Sequence, residues 1–454
     1  MTEDLLTHDE QLEHLVDGGD GEGCSALLES LDAPDAVHAV SSLGEDGRAR
    51  LLTLLDPETA ADVVEQMPWP QAVTAVSMLD VTAAAAIVNE LPSDKRADMI
   101  GALDEDAAAA IVAELAHEDA ADVRRLTGYA GDVAGGLMVT EYLEYSVSAT
   151  IGEVIADLGE NAERYADYEI QYGYVTDESG QLVGVLRMRD LLLSPRSRAV
   201  RAVMIPSPES VLDTSPLAEL VTFFDDHGYF GVPVVDSAGR LCGVVRRSAI
   251  EAAVAEDRDG VYRRSQGIVG GEELRSMPIL VRSRRRLSWL SVNIVLNIFA
   301  ASIIAMHQDT LEAVIALAVF LPIISDMSGC SGNQAVAVSM RELTLGVIRP
   351  REIGRAVLGE LSMGLLNGFV LGLLIGLVAL AWKGNPALGL VVGGALMLNT
   401  LIAVLVGGSV PLLLKRLGFD PALAAGPILT TVTDMCGFML VLTFASLALP
   451  ALTG

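Results

Sequence analysis

The second half of this chain contains more uninterrupted hydrocarbon than a water-soluble domain can bury. Five apolar stretches run at roughly 289–306, 311–340, 354–382, 388–414 and 421–449, each near or above the length that crosses a bilayer. Lipid offers no hydrogen bonds, so segments of that length must satisfy their backbone internally as helices. The spacing predicts an all-α, five-span transmembrane domain over 287–454.

Charge separates this region from what precedes it. From Trp289 to the end there are eight acidic and seven basic residues, so almost all of the formal net charge of -30 lies before it. The front is therefore an acidic, soluble region. Carboxylates repel phosphate backbones, which argues against a nucleic-acid partner. They suit a protein that gathers cations, and equally one that only keeps its surface solvated. The four cysteines, Cys24, Cys242, Cys330 and Cys436, form no CxxC and suggest neither a zinc site nor a disulfide framework. The start, MTEDLLTHDE, has acids where a secretory signal would be basic and apolar, so the front is expected to stay in the cytosol.

Within the front, residues 31–116 repeat with a period of 24. LDAPDAVHAVSSL, LDPETAADVVEQMP, LDVTAAAAIVNELP and LDEDAAAAIVAELA begin at Leu31, Leu55, Leu79 and Leu103. Each unit opens on Leu-Asp, a helix N-cap signal, followed by apolar residues at helical spacing. Such units bury their faces only by stacking on neighbours, so an acidic helical repeat domain is expected over 1–130. Asp56, Asp80 and Asp104 are caps on this reading.

A second duplication follows. QYGYVTDESGQLVGVLRMRDLL from Gln171 is matched 59 residues later by FGVPVVDSAGRLCGVVRRSAIE from Phe230. Both predict strand, Asp/Gly turn, strand and helix. Together with AGGLMVTEYL and RAVMIPSPESVLDTSPLAELV ahead of them, these segments resemble a tandem pair of CBS domains, α+β modules placed here at 131–200 and 201–258. CBS pairs often bind adenosine nucleotides, commonly through a hydroxyl residue and a following Asp. The first module keeps Asp190 but has Arg187 at the hydroxyl position, and the second lacks the Asp. Asp190 is accordingly a candidate nucleotide ligand or a plain helix-start carboxylate. A connecting helix is expected over 259–286, ending in Arg282, Arg284, Arg285 and Arg286.

These arginines precede span one. Arg341, Arg349, Arg351 and Arg355 lie between spans two and three, and Lys415 and Arg416 between four and five. The positive-inside rule then puts the N-terminal domains in the cytosol of a plasma (inner) membrane protein and the C-terminus outside.

The last span carries ILTTVTDMCG. Asp434 is an ionisable group at bilayer depth, costly unless it faces a cavity or partner and so a functional candidate. Thr430 and Thr431 lie one helical turn earlier, and Pro427 leaves carbonyls short of partners. Such oxygens are hard ligands suited to Mg²⁺ or Ca²⁺. One carboxylate and five helices are little provision for a divalent pathway, and a twofold homodimer would double both. The second span, FLPIISDMSGCSGNQAVAVSMREL, offers Asp326, Gly329, Cys330, Gly332, Asn333 and Gln334 either as pore lining or as a small-residue packing seam. No P-loop, Ser/His/Asp arrangement or metal-hydrolase motif is present, so an enzyme is not expected.

The whole order resembles the MgtE family of magnesium channels and transporters, from about residue 31 to 450. The carrying motifs are DVAGGLMVTEYL, RRRLSWLSVN, NTLIAVLVGGSVPLLLKRLGFDPA and GPILTTVTD. The resemblance implies a homodimeric, Mg²⁺-selective pathway with Asp434 as its selectivity carboxylate and Thr430 nearby. It also implies a cytosolic gate closed by Mg²⁺ on acids of the repeat, CBS and connecting regions, tuned in some members by ATP. Two segments depart from the family. Cys330 stands where the family's GGNxGxQ has Asn, and the acids after the second CBS module are reduced to Glu251, Glu256, Asp257 and Asp259. Transport of Co²⁺ or Mn²⁺, and a non-conducting CBS sensor anchored in the membrane, are the alternatives.

Overall fold

The 24-residue period becomes a stack of helices. A computed structural model describes residues 7–166, 168, 171–344 and 346–453, so Met1–Leu6 of the acidic start lie outside the described residues. The chain divides into two units, Met1–Asp257 and Arg258–Gly454.

The first unit begins with ten short helices, from α1 (His8–Gly18) to α10 (His117–Leu126). Asp32, Asp56, Asp80 and Asp104 each cap a helix, accepting the backbone N–H of the residue three positions on at 3.0–3.1 Å. Every second helix therefore starts at the same place in the repeat. The apolar faces share one core that includes Leu52, Val64, Val88, Met99 and Val123. Arg48 and Arg96, two repeats apart, are both buried and donate to carbonyls at the end of the preceding helix.

Two four-stranded sheets follow. One has the order β2 (Leu143–Ser146), β3 (Tyr172–Thr176), β4 (Leu182–Arg187), β5 (Ile205–Pro206); the other has β1 (Met138–Val139), β8 (Leu241–Arg246), β7 (Gly231–Val235), β6 (Val211–Leu212). Each is built on an antiparallel hairpin flanked by a parallel strand, with Gly180 and Gly239 supplying the positive φ of the turns. The modules exchange edges. β1 lies within the stretch of the first module yet pairs with β8 of the second, and β5 lies within the stretch of the second yet pairs with β4 of the first. Four helices complete the pair: α11 (Ala134–Leu137), α12 (Ile151–Glu160), α13 (Met188–Leu193) and α14 (Leu217–Asp226). The repeat domain docks through α8 (Ser93–Ala102). Glu141, just after β1, caps that helix from outside by accepting the Ser93 N–H at 3.1 Å and hydroxyl at 2.7 Å.

The division at Asp257 falls within α15 (Arg247–Ser265), and the second unit then holds α16 (Ile279–Met306), α17 (Gln308–Ala313), α18 (Leu317–Thr344), α19 (Ile353–Lys383), α20 (Pro386–Arg416), α21 (Pro421–Leu447) and α22 (Leu449–Thr453). The expected connecting helix over 259–286 is broken. α15 stops at Ser265, and the arginine cluster falls inside α16, where Glu273 accepts from Arg286 at 2.8 Å.

Four of these helices, α16, α19, α20 and α21, are long and apolar enough to cross a membrane. α18 has the length, 28 residues, but not the apolarity, because it carries Ser325, Asp326, Ser328, Ser331, Asn333 and Gln334. α20 packs against α18, α19 and α21. Its seam with α19 is glycine on backbone, since a Cβ on Gly372 would lie 2.6 Å from the Gly393 carbonyl oxygen. α16 touches chiefly α21 and exposes Leu290, Ile294 and Ile298.

Candidate functional site

Asp434 sits on α21 with only 9% of its surface exposed. Its Oδ1 accepts the hydroxyl of Ser325 on α18. Next to it, Thr433 is fully buried, and its carbonyl accepts the side-chain amide of Asn399 on α20 at 3.0 Å. The carboxylate is thus held through its side chain by one helix, and through the preceding peptide by another.

This layer continues as neutral oxygen. Ser328, Asn399 and Thr400 are all fully buried, and Ser328 Oγ, Asn399 Oδ1 and Thr400 Oγ1 have no hydrogen-bond partner among the described residues. Such groups are costly at membrane depth, which marks the layer as more than packing. The surrounding helices approach closely because side chains are missing. A Cβ on Gly332 would meet the Ala403 carbonyl oxygen at 3.0 Å, and one on Gly437 would meet Asn399 Nδ2 at 2.6 Å.

The sequence candidates divide between two faces of α18. Gly329 and Gly332 lie with Ser325 and Ser328 towards α20 and α21; a Cβ on Gly329 would be 4.0 Å from Thr433 Oγ1. Asp326, Cys330, Asn333 and Gln334 form an exposed stripe. On α21, the Thr430 side chain is exposed and its carbonyl accepts the Thr433 hydroxyl at 3.0 Å. The Thr431 hydroxyl is committed to the Pro427 carbonyl at 2.8 Å, which satisfies one carbonyl near the proline.

Ser325, Asn399, Thr400 and Thr433 were not singled out from sequence. The signal was there in Asn-Thr at 399–400, a polar pair inside an apolar run, and in the helical phase of Ser325, which is that of Ser328, Gly329 and Gly332 rather than that of Asp326.

In the first unit, Asp190 opens α13 and pairs with Arg187 at 2.6 Å and Arg189 at 3.5 Å. The hydrogen bond from Arg187 holds its carboxyl below the ordinary range. A separate cleft of about 630 Å³ is lined by Tyr172, Phe230, Arg96, Arg246 and Arg247 among others, and Asp190 is not in it. Glu251, Glu256, Asp257 and Asp259 are exposed along α15.

A further acid cluster arises where repeat helices stack. Asp94 is 8% exposed, with its Oδ1 unpartnered among the described residues. The protein packed around Glu65, then the charges of Asp94 and Asp62, push the Glu65 carboxyl up. Asp98 is raised first by its surroundings and also by Asp94, against the opposing charge of Lys95. Both keep solvent contact, so the repulsion is screened. Among the described residues no three His, Cys, Asp or Glu side chains converge as a ready site for a bare ion.

Three family models match the chain: a divalent cation transporter model, MgtE, over residues 321–444, the MgtE intracellular N domain over 20–132, and the CBS domain over 200–256. The magnesium transporter MgtE of Thermus thermophilus is 36% identical over 343 residues, 73% of either chain. That of Bacillus subtilis is 32% identical over 322 residues, 70% of either chain. Among solved structures, the cytosolic domain of the Mg²⁺ channel MgtE in complex with ATP aligns with 29% identity and a TM-score of 0.50, covering 54% of this chain and 99% of that one.

Proposed function

The chain belongs to the MgtE family, and from that membership we propose that it is a Mg²⁺-selective channel or transporter for divalent cation uptake, with Asp434 as the carboxylate that meets the ion. The observation that carries this reading is the Asp434 layer, a buried carboxylate among side-chain oxygens in the middle of an apolar helix. Hard oxygens suit a hard ion, and no His or Cys ligand set accompanies them among the described residues. Mg²⁺ gives up water reluctantly, so the carboxylate meets a largely hydrated ion. Entry needs no chemical fuel, because a doubly charged ion gains about 4.6 kcal/mol across 100 mV, twice the single-charge figure.

The exposed stripe of Asp326, Cys330, Asn333 and Gln334 supports a homodimer. Polar side chains on a helix among apolar spans need water or protein, and a second copy would cover them while lining a shared pathway. α18 then counts as a fifth span, and the basic residues before α19 and after α20 support a C-terminus on the outside. Regulation by cytosolic Mg²⁺ is supported by the crowded acids Glu65 and Asp98, each raised first by the protein around it and further by the charge of Asp94, with Glu251, Glu256, Asp257 and Asp259 as further acids. An adenosine nucleotide at the CBS pair is supported by the ATP complex of the relative; in this chain it would have to displace Arg187 from Asp190.

The test is Mg²⁺ flux into liposomes holding the purified full chain, wild type against Asp434→Asn. Undiminished and still selective flux in the variant would remove Asp434 from the pathway. Transport of Co²⁺ or Mn²⁺ is the second reading: Cys330 is a softer ligand on the exposed stripe, which leans towards Co²⁺, while Mn²⁺ takes the same oxygen ligands as Mg²⁺. Competition among the three ions in the same liposomes separates the two.

A further inference from the structure

We infer that Ser325 is a specificity-determining residue: by donating its hydroxyl to Asp434 Oδ1 it leaves the carboxylate one oxygen for the passing ion, and so favours Mg²⁺ over Ca²⁺. The inference rests on the reading of Asp434 just given. Ca²⁺ accepts flexible coordination by six to eight oxygens and readily takes a carboxylate through both of them. Mg²⁺ demands near-octahedral geometry, keeps several waters and is held by one or two carboxylates, each of which can fill an octahedral position with a single oxygen. A carboxylate with one oxygen already bonded thus costs Mg²⁺ little and denies Ca²⁺ its two-oxygen grip.

The bond is placed to act in this way. A hydroxyl donating to a charged carboxylate makes one of the stronger classes of hydrogen bond, and the burial of Asp434 strengthens it further. Ser325 is fixed by its neighbour Ile324, which is fully buried and packs where Gly437 has no side chain; a Cβ there would lie 3.3 Å from Ile324 Cγ2. Asn399 holds the Thr433 carbonyl, which limits rotation of the Asp434 backbone. Stapling α18 to its neighbours does not require this bond, because the Ser339 hydroxyl already joins α18 to the Gly408 carbonyl of α20 at 2.9 Å. That staple spends no carboxylate.

The experiment compares Mg²⁺ and Ca²⁺ flux through the full chain in liposomes for wild type, Ser325→Ala, Ser325→Thr and Asp434→Asn. Ser325→Ala is expected to conduct Mg²⁺ while its Mg²⁺/Ca²⁺ flux ratio falls about tenfold, equivalent to about 1.4 kcal/mol. Ser325→Thr, which keeps the hydroxyl, is expected to restore the ratio. An unchanged ratio in Ser325→Ala overturns the inference, and so does equal loss of both fluxes, because that would make the bond a requirement for conduction rather than for choice. Failure of the underlying reading looks different: Asp434→Asn would then conduct selectively, whatever Ser325→Ala does.

Discussion

Replacing Asp94 by Asn tests whether the acid cluster of the repeat domain is a cation-dependent element. Asp94 is nearly buried with an unpartnered oxygen, and its charge adds to the surroundings in raising Glu65 and Asp98. An acid raised in the folded state contributes stability that is complete below its unfolded value, near pH 4, and is lost as pH rises through the folded value. Metal-free protein should therefore become more stable as pH falls from neutrality through the raised values of Glu65 and Asp98 towards the ordinary carboxylate range. Asp56, Asp177 and Asp236 do not oppose this, because hydrogen bonds from Thr59, Ser179 and Arg240 hold them low, so that their stabilisation is lost only below the ordinary carboxylate range. Glu65 and Asp98 keep solvent contact, which limits each to about 0.5 kcal/mol. Together that is about 1 kcal/mol, or some 2–4 °C in a unit of this size. Asp94→Asn should add part of that amount without metal and reduce the pH response without abolishing it, because the protein packed around Glu65 and Asp98 remains. A bound Mg²⁺ at 100 times its Kd adds about 2.7 kcal/mol, so the wild type should gain more from Mg²⁺ than from acid. The assay is thermal unfolding of the full chain in detergent, with hydrogen exchange reporting on α8. The reasoning fails if acidification towards the ordinary carboxylate range lowers the metal-free midpoint, or if Asp94→Asn keeps the full Mg²⁺ increment.

The remaining predictions concern packing. Gly437→Ala should cost about 1–3 kcal/mol by overpacking and reduce flux, because its Cβ meets Asn399 Nδ2 at 2.6 Å; Gly426→Ala on the same helix meets nothing within 4 Å and should be neutral or gain up to about 1 kcal/mol. Detergent melting and liposome flux measure both. Arg96→Met should destabilise the repeat domain by about 2–3 kcal/mol, since it strands Asp119 and the carbonyls of Asn89 and Leu91. Arg48→Met strands carbonyls alone and should cost less in the same unfolding assay.

Local rules made the repeat domain legible. A capping Asp every 24 residues acts within its own helix, so Asp56, Asp80 and Asp104 can be assigned from spacing, and the structure finds each accepting the expected N–H. The CBS hairpins were visible for the same reason, through turn glycines that need positive φ. What spacing could not reveal is the exchange of edges. β1 and β5 are two residues long, too short for any alternation to show, and their partners are chosen by the tertiary fold. The Asp94 cluster was hidden likewise, because Glu65 and Asp94 are 29 positions apart and meet only through stacking.

In the membrane unit, residue chemistry alone pointed to Asp434 but mixed two faces of α18. Asp326, Cys330, Asn333 and Gln334 attract attention by type, yet helical phase assigns them to the exposed side, while the plainer Ser325 and Ser328 face the carboxylate. The two faces make different demands. The inner one needs small residues so that α18, α20 and α21 can approach and bring Ser325 and Asn399 to Asp434 and Thr433. The outer one cannot remain in hydrocarbon and calls for water or a second copy. Departure from the family pattern at Cys330 therefore lies on the outer face, whereas the contacts that orient Asp434 lie on the inner one. A Cys330→Asn exchange should accordingly alter conduction or ion preference while leaving the melting temperature unchanged. Gly437→Ala should move both.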